Sequence, residues 1–185
     1  MYYQFSDFYK RDVSFVFDDE NNNIEYSIFN EGISIDGKED ILYQVDKIDD
    51  YISSYDLLPT IGPILVSKKF KELFLELSDK QIQFIPATIK DEKGNENNDF
   101  FALNILNIVS CMNMKTSVTE KTRYGTLKIK KLMFIANSLK NLDIVRMKEH
   151  LSYIIVNQNF KDKCSENNLN GIHFMEEGYS IYTDV

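Results

Sequence analysis

Arg146-Met147-Lys148-Glu149-His150, with Asp143 just ahead of it, is the densest group of ionisable side chains in the chain. On a strand, Arg146, Lys148 and His150 share one face while Met147 and Glu149 share the other. That grouping could do acid–base chemistry. It also reads as a solvated strand face running into a turn, which is the reading we favour. His173 sits between Ile172 and Phe174, and Cys111, His150, Cys164 and His173 are spread singly along the chain. This spread lacks the paired spacing of a zinc site. Asn104 and Asn107 interrupt the apolar run Phe100 to Val109, where buried amides need partners; such partners are a ligand or, more often, a neighbouring backbone group. No glycine-rich phosphate cradle, Gly-x-Ser-x-Gly elbow or His-Glu-x-x-His helix occurs. The residues assemble no nucleophile, base and oxyanion donor, so no enzyme, cofactor or metal is expected.

The elements around these residues are organised by an internal repeat. Val66-Ser67-Lys68-Lys69-Phe70-Lys71-Glu72 returns ungapped as Val156-Asn157-Gln158-Asn159-Phe160-Lys161-Asp162. Ile64 matches Ile154, Ile82 matches Ile172 and Phe84 matches Phe174. Each copy reads as an apolar strand, a helix N-capped by Ser or Asn, and a second strand. These two strand–helix–strand units span about 64–84 and 154–174. In the second copy His173 replaces Gln83, which speaks against a catalytic role for the histidine.

The first helix is expected from Ser67 through Ser78, with Phe70, Leu73, Phe74 and Leu77 on one face. The second has a narrower apolar stripe and is expected to be weaker. Val13 to Phe17, Ile24 to Phe29, Ile33 to Ile35 (bracketed by Gly32 and Gly37) and Ile41 to Val45 read as strands. So do Gln81 to Ile89, Phe100 to Val109, Thr126 to Ile135 and Asp143 to Lys148. Pro86 requires an edge, an end or a bulge. Asp46 to Tyr55 has the spacing of a short helix, and Asp91 to Asp99 that of a polar loop with a hairpin tip at Lys93-Gly94-Asn95. Strands outnumber helices without alternating regularly, which predicts an α+β fold with a mixed, largely antiparallel sheet.

Charge divides the 185 residues unequally. Residues 1–56 carry fourteen acids against four bases, a net of −10, together with seven of the eleven tyrosines. Residues 57–185 carry fifteen acids against seventeen bases. The boundary at Pro59-Thr60-Ile61-Gly62-Pro63 separates an acidic, tyrosine-rich, β-rich segment (1–56) from an α+β domain (57–185). Acid repels phosphate and anionic lipid, so nucleic acid and membrane are poor partners and a basic protein a good one. No run of about 18 apolar residues and no leader-like start is present, so the cytoplasm is the expected location.

Six blocks occur in order: Gly62-Pro63-Ile64-Leu65-Val66-Ser67, Ile82-Gln83-Phe84-Ile85-Pro86, Phe100 to Leu106, Asp143 to Glu149, Tyr153 to Asn157 and Leu169 to Phe174. This series resembles a family of bacterial immunity proteins from polymorphic toxin systems, typified by a myxobacterial member. The resemblance covers about residues 57–176. It implies a protein that binds and silences a toxin delivered by contact-dependent or type VI secretion, and it carries no catalytic residues over. The expected toxin-binding residues are Asp46, Asp49, Asp50, Tyr51, Tyr55 and Asp56, because acid beside tyrosine gives electrostatic steering and aromatic anchors. The loop Asp91 to Asp99 is the second candidate. Two other classes stay open: an enzyme that reverses a toxin's modification, and a small-ligand-binding regulatory module around Asn104.

Overall fold

A computed structural model describes residues 1–10, 12–36, 40–123, 125 and 127–179. Gly37 and Thr126, which bound expected strands, lie outside these. The N-terminal half holds β1 (Tyr2–Asp7), β2 (Phe15–Phe17), β3 (Ile41–Val45), β4 (Leu57–Leu58), β5 (Thr60–Ile61), β6 (Leu65–Ser67) and α1 (Lys68–Leu73). Then come β7 (Ile82–Asp91), β8 (Glu96–Ile105), β9 (Ile108–Val109), β10 (Val118–Lys121) and β11 (Leu127–Lys131). The chain closes with β12 (Ile144–Met147), β13 (Ile154–Asn157), α2 (Gln158–Glu166) and β14 (Ile172–Glu176). The architecture is α+β, weighted heavily to strand.

Two sheets dominate, ordered β4-β6-β8-β7-β3-β2-β5 and β14-β1-β13-β12-β9, with β10 and β11 forming a separate hairpin. Strands β6 and β7 both run antiparallel to β8, which lies between them. Strands β13 and β14 both run antiparallel to β1, which lies between those two. Residues 1–56 therefore feed both sheets: β1 enters the five-stranded one, β2 and β3 the seven-stranded one. Tyr2–Asp7 was not recognisable as a strand from local pattern, although Tyr3 and Phe5 point into the core in strand alternation.

The facing sides of the two sheets and both helices share one core. Phe5, Phe70, Phe74 and Phe160 meet there, with Phe74 and Phe160 stacked at 4.1 Å between ring centroids. The far side of the seven-stranded sheet buries Phe15, Tyr43, Ile85 and Ile89 against Phe29, Ile35 and Ile52. The far side of the five-stranded sheet buries Val145, Met147 and Ile155 under Met112, Ile129 and Leu139.

Both helices begin as their caps require: Ser67 Oγ accepts from Phe70 N, and Asn157 Oδ1 from Phe160 N. Helix α1 stops at Leu73, not Ser78. The chain tightens into a 3-10 turn over Leu75–Leu77 and reverses at Asp79, whose φ is 60° and whose N–H donates to Ile82 O. That reversal delivers Ile82 to the sheet. Helix α2 is the longer of the two, its narrow stripe of Phe160 and Cys164 both buried.

Three expected elements take other forms. Ile24 to Phe29 is not a strand; the chain closes on itself as a 3-10 turn over Tyr26–Asn30, and only Phe29 is fully buried within it. Asp46 to Tyr55 contains a single 3-10 turn, Ile52–Ser54. Ile33 to Ile35 makes no ladder. Instead Gln83 Nε2 donates to Ile35 O at 2.7 Å, Ile35 N donates to Gln83 Oε1 at 3.0 Å, and Asn104 Nδ2 donates to Ile33 O at 2.8 Å. Two cross-strand side-chain amides thus do the work of a neighbouring strand. Pro86 sits one residue before the β3–β7 pairing begins at Ala87, beside the irregularity between Ala87 and Ile89, where its missing N–H is tolerated.

Candidate functional site

Strands β3 and β7 are parallel and in register from Ile41–Ala87 to Val45–Asp91. They end together, so the segments that follow each of them emerge side by side. These are the acidic stretch from Asp46 and the hairpin tip from Glu92. The tip is shorter than expected, because Glu96 and Asn97 already pair with Lys90 and Ile89.

Asp91 organises this end of the sheet. Its carboxylate accepts from Lys93 N at 2.9 Å, Asn95 N at 2.9 Å and Asn95 Nδ2 at 2.8 Å, which shapes the tip. It also accepts from Ile48 N at 3.3 Å, which ties the Asp46 stretch to the tip. The Asn95 amide, helped by the backbone N–H groups, holds its pKa below the ordinary carboxylate value against desolvation. Asp18 plays the same part after β2, accepting from Glu20 N, Asn21 N, Asn21 Nδ2 and Gln44 Nε2. Burial pushes its pKa up, but the hydrogen bonds from Asn21 and Gln44 outweigh this and leave it lowered.

Between these two anchors lies an open cleft of about 430 Å³, floored by Val16 and Leu42 and rimmed by Asp18, Asp46, Asp91 and Glu92. Among the described residues the one base on its wall, Lys90, is ion-paired to Glu96 at 2.8 Å. The described lining of the cleft is acidic and suits a basic side chain.

The sequence-predicted residues divide here. Asp46, Asp50 and Tyr51 are exposed on the loop, and Asp49 is half-buried with its Oδ1 accepting from Tyr51 N at 2.9 Å. Tyr55 is half-buried, its ring 4.3 Å from that of Tyr9. Asp56 is only 7% exposed. Its Oδ1 accepts from Ser67 Oγ at 2.6 Å and its Oδ2 from Asn170 N at 2.8 Å, with Lys69 Nζ at 3.9 Å. These bonds stitch the loop before β4 to the α1 cap and to the turn before β14. Gly171 permits that approach, since a Cβ there would meet Leu57 O at 2.6 Å. Asp18 was missed; the signal was an Asp followed three residues later by Asn, the pattern of a side-chain-capped turn.

The cluster at 143–150 disperses. Arg146 is 5% exposed, not solvated, because all four β12 residues are buried between layers. Glu149 turns to Ser110 Oγ and Cys111 N. His150 stacks on Tyr153, and its Nδ1 lies 2.8 Å from Ser152 Oγ. His173 is exposed on the edge strand β14, opposite Ser6 in register. Asn104 spends its amide on the backbone of Ile33 and on Gln83 Oε1. Asn107 donates to Lys80 O. Among the described residues no group of three or more His, Cys, Asp or Glu could hold a metal ion. Among the described residues no helix is long and apolar enough to cross a membrane.

The model of the Imm11 immunity protein family matches residues 37–178, a span from β3 to β14 that includes both helices and the Asp46, Asp91 and Glu92 side of the cleft, but not Asp18. A search of curated proteins gives no match. The matched span is more than three quarters of the chain, and the chain belongs to the Imm11 immunity protein family.

Proposed function

We propose that this protein binds a cognate secreted toxin, of the contact-dependent or type VI kind, one to one in the cytoplasm and neutralises it by covering its functional site. The contact surface in this reading is the paired end of β3 and β7: Asp46, Asp49, Asp50 and Tyr51 on one side, Glu92 and the hairpin tip on the other. The supporting observation is the Ile48–Asp91 hydrogen bond, which holds the two acidic segments together as one surface beside the cleft. Tyr55 and Asp56 support that surface from within. A basic toxin face complements it, and the acid steers encounter and sets register.

The test is binding of the toxin encoded beside this protein to the variant Asp46→Lys/Asp50→Lys/Glu92→Lys. These three are exposed, whereas Asp49 and Asp91 hold the loops and are left in place. At about 1 kcal/mol for each reversed interfacial charge, affinity should fall roughly 100-fold at low salt, and the deficit should shrink as salt rises. Unchanged affinity at low salt would remove this surface from the interface. Neutralisation of toxin far below one-to-one stoichiometry would replace occlusion with turnover.

A further inference from the structure

Arg146 is a buried cation without an anion. Its Nε donates to Phe29 O at 2.8 Å and its Nη1 to Leu151 O at 2.7 Å. Among the described residues no carboxylate lies within ion-pair distance, and Nη2 makes no hydrogen bond. Burial lowers its pKa to about 10, which leaves it charged at neutral pH. Buried charges are ordinarily paired, and two carbonyl oxygens do not neutralise a guanidinium.

The same side chain lines a pocket of about 190 Å³ at the seam between the two sheets. The pocket is bounded by Tyr26 and Phe29 from the 3-10 turn, by Pro63 ahead of β6, and by Ser152 and Ile154 at the start of β13. Its volume is on the order of six liquid water volumes, room for a small acid group and a short stem. One planar guanidinium with no second base beside it suits a monoanion better than a phosphate dianion. The aromatic and aliphatic walls suit an apolar stem. We propose that this pocket is a carboxylate-binding site, with Arg146 Nη2 as the principal donor and Ser152 Oγ, turned from His150 Nδ1, as the second contact. It lies apart from the acidic cleft and has the opposite charge preference. The carboxylate belongs either to a free small acid or to an acidic side chain of a bound peptide.

The experiment follows the Nε–H resonance of Arg146 in the full-length protein during titration. The probes are sodium propionate, a blocked Gly-Glu-Gly peptide and its Gln counterpart, at matched ionic strength. A saturable shift with a carboxylate probe, absent with chloride and with the Gln peptide, is expected. Binding by propionate but not by the Glu peptide identifies a free acid; tighter binding by the peptide identifies a side chain. Because Arg146 also anchors Phe29 and Leu151, the deciding variant is Ser152→Trp. It fills the pocket from an exposed position and should weaken binding about tenfold or more, a loss of about 1.4 kcal/mol or more. No saturable shift, an equal shift with chloride, or undiminished binding in Ser152→Trp overturns the assignment.

Discussion

Asp56→Ala separates a residue that builds the surface from residues that form it. The substitution leaves Asn170 N–H without its acceptor and removes the partner of the Ser67 hydroxyl. Hydrogen bonds to a charged group contribute about 1.5–3 kcal/mol each, and an orphaned backbone donor costs about 1–3 kcal/mol. At 7% exposure little water can substitute, while the Ser67 hydroxyl can reorient and keep its cap on Phe70 N. We therefore expect a loss of about 2–4 kcal/mol. For a chain of this size that corresponds to a fall of roughly 5–15 °C in Tm. Asp56→Asn retains one acceptor for Asn170 N–H and a donor for Ser67, and should lose about 1 kcal/mol. The assay is urea unfolding followed by far-ultraviolet circular dichroism, since the chain has no tryptophan. The midpoint should move with the slope unchanged. The folded variant should bind toxin as the wild type does. A stability change below about 0.5 kcal/mol together with a tenfold loss of toxin affinity would refute the argument.

Phe160→Ala removes a fully buried ring that stacks on Phe74 and meets Phe5 edge-on at 5.7 Å; unfolding should report a loss of about 3–5 kcal/mol. The Asp91 carboxylate has a lowered folded-state pKa, so its stabilisation is complete above the unfolded carboxylate value and is lost as pH falls through the lower folded one. Urea midpoints should therefore drop below about pH 4, and Asp91→Asn should flatten that drop. Burial pushes the thiols of Cys111 and Cys164 up to about 12, with Glu149 and Asp56 adding smaller contributions. Neither should be alkylated by iodoacetamide in the native protein at neutral pH, and both should react in urea; rapid native labelling of either would contradict their burial.

Local chemistry was legible wherever it is decided within a few residues. Ser67 and Asn157 announced both helix starts, and Phe70 and Phe160 announced the shared core. What depends on distant pairing was not legible. Tyr2–Asp7 became a strand because β13 and β14, some 150 residues on, leave a gap that it fills. Ile33 to Ile35 has a strand's alternation, yet its hydrogen bonds go to Gln83 and Asn104, whose amides could not be assigned from sequence. Arg146 looked solvated because it is charged; its burial follows from lying beneath Phe29, a contact across 117 positions. The acidic stretch from Asp46 and the loop Asp91 to Asp99 were both singled out, but not that they adjoin, since only the parallel register of β3 and β7 brings the two segments to one end.

The placement of β1 between β13 and β14 governs how the protein comes into being. Phe5 pairs with Ile154 and Phe174, so its neighbours are synthesised some 150–170 residues later. At 5–20 residues per second, roughly 10–30 s separate the emergence of β1 from that of β14. Throughout that interval Tyr3 and Phe5 lack their native cover, and the emerging chain is a natural client for holding chaperones. A ribosome that stalls before residue 172 yields a polypeptide whose first strand lacks one of its two neighbours. The five-stranded sheet thus withholds its full pairing from any product that stops before β14.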